Sequence, residues 1–131
     1  MARMPAPEIT ILDPPEGSKL RFKDGKLNFI AEVRVSKDSQ EPSVWGDLIR
    51  GKKRTQTQTV AIEKIRDIDN KCLYRATLQV SSSSRVVGTG KNELIVNATS
   101  DSSKKYRRGE TYFQAERSSS EPRHFTIIST R

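Results

Sequence analysis

The strongest constraint on this chain is an alternation of apolar and polar residues that recurs three times. In "LNFIAEVRVS", residues 27–36, Leu27, Phe29, Ala31, Val33 and Val35 share one face. Asn28, Glu32, Arg34 and Ser36 share the other, with Ile30 the exception. "KCLYRATLQV", residues 71–80, places Cys72, Tyr74, Ala76, Leu78 and Val80 together, and "ELIVNAT", residues 93–99, does so with Leu94, Val96 and Ala98. A period of two marks a half-buried strand, because successive side chains leave a strand on opposite faces. No segment holds an apolar face at a spacing of 3.6 over three turns. The nearest is "VAIEKIRDI", residues 60–68, where Val60, Ile62, Ile65 and Ile68 approach one side, but its β-branched content disfavours a helix.

Shorter patterns extend the count. Ile9 and Ile11 mark an early strand, and Phe125 and Ile127 a late one. "SVWGDLIR" (43–50) and "TQTQTVAI" (55–62) read as strands of poorer pattern, the Thr/Gln run suiting an exposed edge. Asp24-Gly25 is a hairpin turn signal. "RRGETYFQAERS" (107–118) is a further candidate, either the last strand or a hairpin arm before "HFTIIS". Seven to nine short strands separated by Pro, Gly, Ser and Asp clusters predict an all-β, antiparallel sandwich. A hydrophobic share of 33% suits this architecture, since each strand needs only every second residue apolar. The expected core is Ile9, Ile11, the five residues of 27–35, Trp45, Tyr74, Ala76, Leu78, Leu94, Val96, Ala98, Phe125 and Ile127. One cysteine, Cys72, leaves no intrachain disulfide. The expected organisation is a tail at 1–6 and a single domain over 7–131.

"GTGKNELIVNATSDSS", residues 88–103, raises a second possibility, a phosphate loop opening a helix. A P-loop needs two glycines flanking four residues, then Lys and a hydroxyl. Here Asn92 and Glu93 follow Lys91, and the next residues alternate as a strand. The better reading is a turn at Gly90, with Asn92 bonding the neighbouring backbone, feeding a core strand. "GKNELIVNATSD" resembles the penultimate strand of bacterial immunoglobulin-like and fibronectin-type-III-like domains. "PEITILDPPEGSKL" is similar to their first strand and Pro-Gly turn, "LNFIAEVRV" to the second, "SVWGDL" to the third and "HFTIIS" to the last. The resemblance implies an immunoglobulin-like sandwich with Trp45 as a core tryptophan, acting as an interaction or assembly module. The segments 51–70 and 101–121 exceed what the pattern needs and are the expected functional surface.

The charge is uneven. Residues 1–48 carry 7 basic and 8 acidic groups, a net −1, and residues 49–131 carry 17 and 8, a net +9, so all of the positive excess lies in the second part. Two clusters stand out: Arg50, Lys52, Lys53 and Arg54, and Lys104, Lys105, Arg107 and Arg108 around Tyr106. These are the candidate contacts to a protein partner or, alternatively, to nucleic acid, where cations meet phosphates and an aromatic stacks on a base. In a sandwich the two clusters follow the third and sixth strands and fall at opposite ends.

Catalysis is not expected. His124, the one histidine, precedes a core-facing Phe and points outward, and Cys72 alternates in phase with core residues. Asp67, Asp69 and Asn70 offer oxygens, but without the spacing of a calcium loop. No cofactor or metal is expected. "NAT" (97–99) matches a glycosylation acceptor but lies within a strand. No window resembles a signal-peptide core or a transmembrane helix, which makes the expected compartment cytoplasmic if the chain is complete.

Overall fold

In the computed structural model, residues 6–37, 39–84, 87–100 and 116–129 are described. They form ten strands: β1 (Glu8–Asp13), β2 (Ser18–Arg21), β3 (Lys26–Ser36), β4 (Ser43–Arg50), β5 (Lys53–Gln56), β6 (Gln58–Ile68), β7 (Lys71–Ser81), β8 (Gly90–Ser100), β9 (Glu116–Ser119) and β10 (Arg123–Ser129). One sheet runs β1-β3-β7-β6 and the other β2-β10-β8-β4-β5, with β9 also on β8. Setting aside the short β2, β5 and β9, this is the strand order of an immunoglobulin-like sandwich, ABED against GFC. The three alternating segments are its central strands: β3 and β7 pair over 11 rungs, from Lys26↔Ser81 to Ser36↔Lys71.

The antiparallel expectation needs one correction. β2 runs parallel to β10, with Phe125 opposite Ser18 and Ile127 opposite Leu20. The chain crosses from one sheet to the other after β1 and lays this short strand beside the last one. The two candidates for the last strand share one column. β10 pairs with the first half of β8, from Gly90 to Leu94, and β9 with the second half, from Asn97 to Ser100. Between them Ser120 steps out of line. Its N–H donates to the Val96 carbonyl at 2.7 Å, and its hydroxyl accepts from the Val96 N–H at 2.9 Å.

The core between the sheets contains Phe29, Val33, Leu48, Leu78, Leu94, Val96 and Ile127, all nearly inaccessible. The Phe29 and Phe125 rings meet at 5.6 Å between centroids with a 51° tilt. Trp45 is not a core residue. On β4 the inward phase is Val44, Gly46 and Leu48, opposite Ala98, Val96 and Leu94 of β8, so Trp45 faces outward and is half-buried. Gly46 makes this possible, because a Cβ there would meet Leu94 Cδ1 and Thr57 Cγ2, each at 3.0 Å. Ile9 is half-buried against the core, Val80 joins its face-mates there, and Phe22, Val44, Leu48 and Val87 join it unexpectedly.

"VAIEKIRDI" lies in β6, a strand at the edge of its sheet, not in a helix. Two one-residue bulges interrupt its pairing with β7, leaving Val60 and Ile65 without partners. Each inserted residue lengthens the local apolar spacing, which is why a strand imitates a helical period.

Asp24 and Gly25 both have positive φ, 53° and 73°, as a type I′ turn requires. Gly51 at φ 62° opens the two-residue turn between Arg50 and Lys53 in the manner of type II′. Asn92 donates to the carbonyls of Gly88 and Gly90 at 3.2 and 3.1 Å, which fixes the turn ahead of β8.

Candidate functional site

The segment 51–70 builds one whole flank of the sandwich. β5 is one edge of its sheet and β6 one edge of the other, and the chain passes between them at Thr57. That residue is buried, and two hydrogen bonds pin it to β4. Its N–H donates to the Gly46 carbonyl at 2.8 Å, and its Oγ1 accepts from the Gly46 N–H at 2.9 Å. Thr59 adds a hydroxyl bond to the Val44 carbonyl. The Thr/Gln run is therefore both an edge and a corner, and its buried threonine is the hinge that joins the layers.

On this flank β6 exposes its bulge residues, Val60 at 50% and Ile65 at 37%. Between and beside them stand Glu63, Lys64, Arg66 and Asp67, with Lys64 and Asp67 paired at 3.1 Å. Leu12 and Ile128, the other exposed large hydrophobics among the described residues, also fall where a strand register shifts. Bulges and charges on an edge interrupt the regular row of backbone groups that would otherwise recruit another strand. The flank thus offers side chains more than a continuous hydrogen-bonding edge.

The first basic cluster is the β4–β5 hairpin. Arg50 is half-buried with its guanidinium over Gly88, where a Cβ would lie 2.7 Å from Cζ. Lys52, Lys53 and Arg54 are exposed. Lys104, Lys105, Tyr106, Arg107 and Arg108 lie outside the described residues. Their flanking neighbours Ser100 and Glu116 pair with each other at the end of the sheet away from the hairpin. The hairpin meets other cations instead. Arg21, Lys23 and Lys26 border the β2–β3 turn at the same end, and Lys91 opens β8 there. No sequence cluster announced these four, because they are scattered along the chain. Counting strand directions to the turns would have brought them together.

The outer face of the β8 sheet carries a polar ladder. Asn97 is buried although it faces outward. It donates to Asp47 Oδ2 at 3.0 Å and accepts from the Ser119 hydroxyl at 2.6 Å. Above it the Arg117 guanidinium lies 5.1 Å from the Trp45 ring centre. The two contacts clamp β9 onto the sheet.

The sole histidine and cysteine lie apart. His124 is exposed on β10, with Nδ1 at 2.7 Å from Glu16 and Nε2 at 3.6 Å from Glu93. The His124 backbone N–H, first, and then its side chain hold Glu16 below the ordinary carboxylate range. Arg123 ties the same strand to the Ile11 and Pro14 carbonyls at 3.2 and 3.1 Å. Cys72 is buried on the inner face of the other sheet, its thiol donating to Asp67 Oδ1 at 3.1 Å. Burial, then that hydrogen bond, push the thiol above its usual range. The Cys72 bond and Lys64 hold the Asp67 carboxyl low. Among the described residues no group of three His, Cys, Asp or Glu side chains could hold a metal ion. No helix there is long and apolar enough to cross a membrane.

No protein-family model and no curated protein matches this chain. Among solved structures it is similar to AggA, the major subunit of aggregative adherence fimbriae type I from Escherichia coli. The two are 16% identical, with a TM-score of 0.47 over 95% of this chain and 97% of that one. At that identity and TM-score the likeness transfers nothing about binding or assembly.

Proposed function

We propose that this chain is a non-enzymatic immunoglobulin-like interaction module, an accessory subunit of a larger assembly, that binds a protein partner through the 51–70 flank. One observation carries the reading: a single contiguous segment supplies one edge of each sheet, on the same flank, and exposes Val60 and Ile65 around a charged run. The two apolar side chains, about 15 Å apart along an extended strand, would anchor the partner. The intervening charges would set its register. The non-enzymatic part is supported by the separation of Cys72 from His124. The thiol is buried and hydrogen-bonded to Asp67, and the imidazole is already engaged by two carboxylates, so among the described residues this thiol and this imidazole do not form a nucleophile–base pair.

The test is site-specific photo-crosslinking in native lysate with nuclease present. A photoreactive residue is placed at position 60 or 65, and at Thr10 on the opposite flank as control. A defined protein captured from 60 and 65 but not from 10 supports the reading. Equal capture from all three positions, or capture from none, refutes it.

A further inference from the structure

The hairpin end of the sandwich gathers unpaired positive charge. Arg21, Lys23 and Lys26 come from β2, the turn and the start of β3, and all are exposed. Lys52, Lys53 and Arg54 come from the hairpin, and Lys91 from β8; these too are exposed. The six ion pairs among the described residues use Lys64, Lys71, Arg75, Arg123 and His124, and none of these seven cations. Carboxylates are scarce here. Asp24 occupies the turn, and Glu93, one rung inward, faces His124. Repulsion among like charges disfavours such clustering unless an anion relieves it.

The layout says which anion. Arg21 on β2 and Arg54 on β5 are four strand spacings apart, roughly 19 Å, and Lys26 belongs to the other sheet, about 10 Å away. That spread is too wide for one small anion. It also extends in two dimensions, whereas a single extended polyanion presents one row of charges. A duplex presents phosphates of both strands across grooves about 12 and 6 Å wide, at one charge per roughly 1.7 Å of axis. Arg21, Lys23 and Lys26 outnumber the single carboxylate, Asp24, around a concavity of about 470 Å³ whose wall also holds Asn28 and Gln79. Gln79 Nε2 donates to Asn28 Oδ1 at 2.9 Å, which leaves the Asn28 amide nitrogen as the further donor for a phosphate oxygen. No exposed aromatic stands at this end among the described residues, so base stacking is not provided. Among the described residues Ile128 is its one exposed large hydrophobic, too little to anchor in a bilayer.

We infer that this end of the sandwich is a docking surface for the phosphate backbone of duplex nucleic acid, read without base sequence. The surface is separate from the β6 bulges and stands or falls apart from the partner reading.

The experiment uses fluorescence anisotropy of a labelled 20-base-pair DNA duplex with the full chain at 50–200 mM salt. Five phosphate contacts give a slope of about −4.5 in log affinity against log salt, so affinity falls on the order of 500-fold over that range. Arg21→Gln/Lys23→Gln/Lys26→Gln should cost at least tenfold in affinity and flatten the slope by about 3. Arg34→Gln/Lys37→Gln/Lys71→Gln removes the same charge from the opposite end and should leave the slope within about 1 of the parent. Circular dichroism and urea midpoints check that both triple variants fold. No binding at 50 mM overturns the inference. So do equal losses in the two triple variants, a loss confined to neutralising Lys104, Lys105, Arg107 and Arg108, or tighter binding to heparin or anionic vesicles than to the duplex.

Discussion

Thr57→Val is a sharp probe of how the functional flank is held. The substitution is nearly isosteric and keeps the methyl that packs toward Gly46. It removes the Oγ1 that accepts the Gly46 N–H at 2.9 Å in a buried setting. The Thr57 N–H bond to the Gly46 carbonyl, 2.8 Å, is untouched, so the strand corner should persist. What is lost is the partner of one buried donor, a penalty of about 1–3 kcal/mol. With a urea m-value of about 1.5 kcal/mol/M, the unfolding midpoint should fall by roughly 0.7–2 M at unchanged m. Thr57→Ser keeps the acceptor and loses one methyl, so its cost should be smaller, about 1 kcal/mol. The assay is equilibrium urea unfolding followed by Trp45 fluorescence and by circular dichroism. A Thr57→Val midpoint within about 0.2 M of the parent, or Thr57→Ser worse than Thr57→Val, would refute the claim that this hydroxyl ties β4 to the corner.

Three further outcomes follow from the geometry. Gly25→Ala places a side chain at φ 73° with its Cβ 3.3 Å from Ser82 Oγ, and should cost at least about 1 kcal/mol in the same unfolding assay. Glu16, whose carboxyl is held below its usual 4.5 chiefly by the His124 N–H, contributes stability that is fully present above that value. This contribution is lost as pH falls through the lowered one, so Glu16→Gln should flatten the decline in urea midpoint below pH 4.5; parallel pH curves would contradict this. Cys72, buried and hydrogen-bonded to Asp67, should react with a thiol reagent far more slowly in the folded chain than in urea, and Cys72→Ser should leave partner capture intact.

The legible parts of the fold were those where local pattern and tertiary environment agree. β3, β7 and β8 alternate because each presents one face to the core, and Asp24-Gly25 and Asn92 act on their own neighbours. Trp45 misled because "VWGDL" supports either phase. Its size argued for the core, but the pairing of Val44, Gly46 and Leu48 with Ala98, Val96 and Leu94, and the filling of the Gly46 notch by Thr57, set the other. β6 was obscured by its two bulges, and β2 by being four residues long with a partner more than a hundred positions away. The surfaces were half visible. The cluster 50–54 is contiguous in sequence, whereas Arg21, Lys23, Lys26 and Lys91 join it through strand directions. Val60 and Ile65 read as half of an apolar stripe until the bulges place them outside.

The most direct test of the partner-binding account is affinity capture from native lysate at about 150 mM salt with nuclease present, comparing the parent chain with Val60→Glu/Ile65→Glu. Both positions are exposed, so the double variant should fold normally by circular dichroism. The account predicts a defined protein retained by the parent through nuclease treatment and lost from the variant. Retention of the same partner by the folded variant would contradict it.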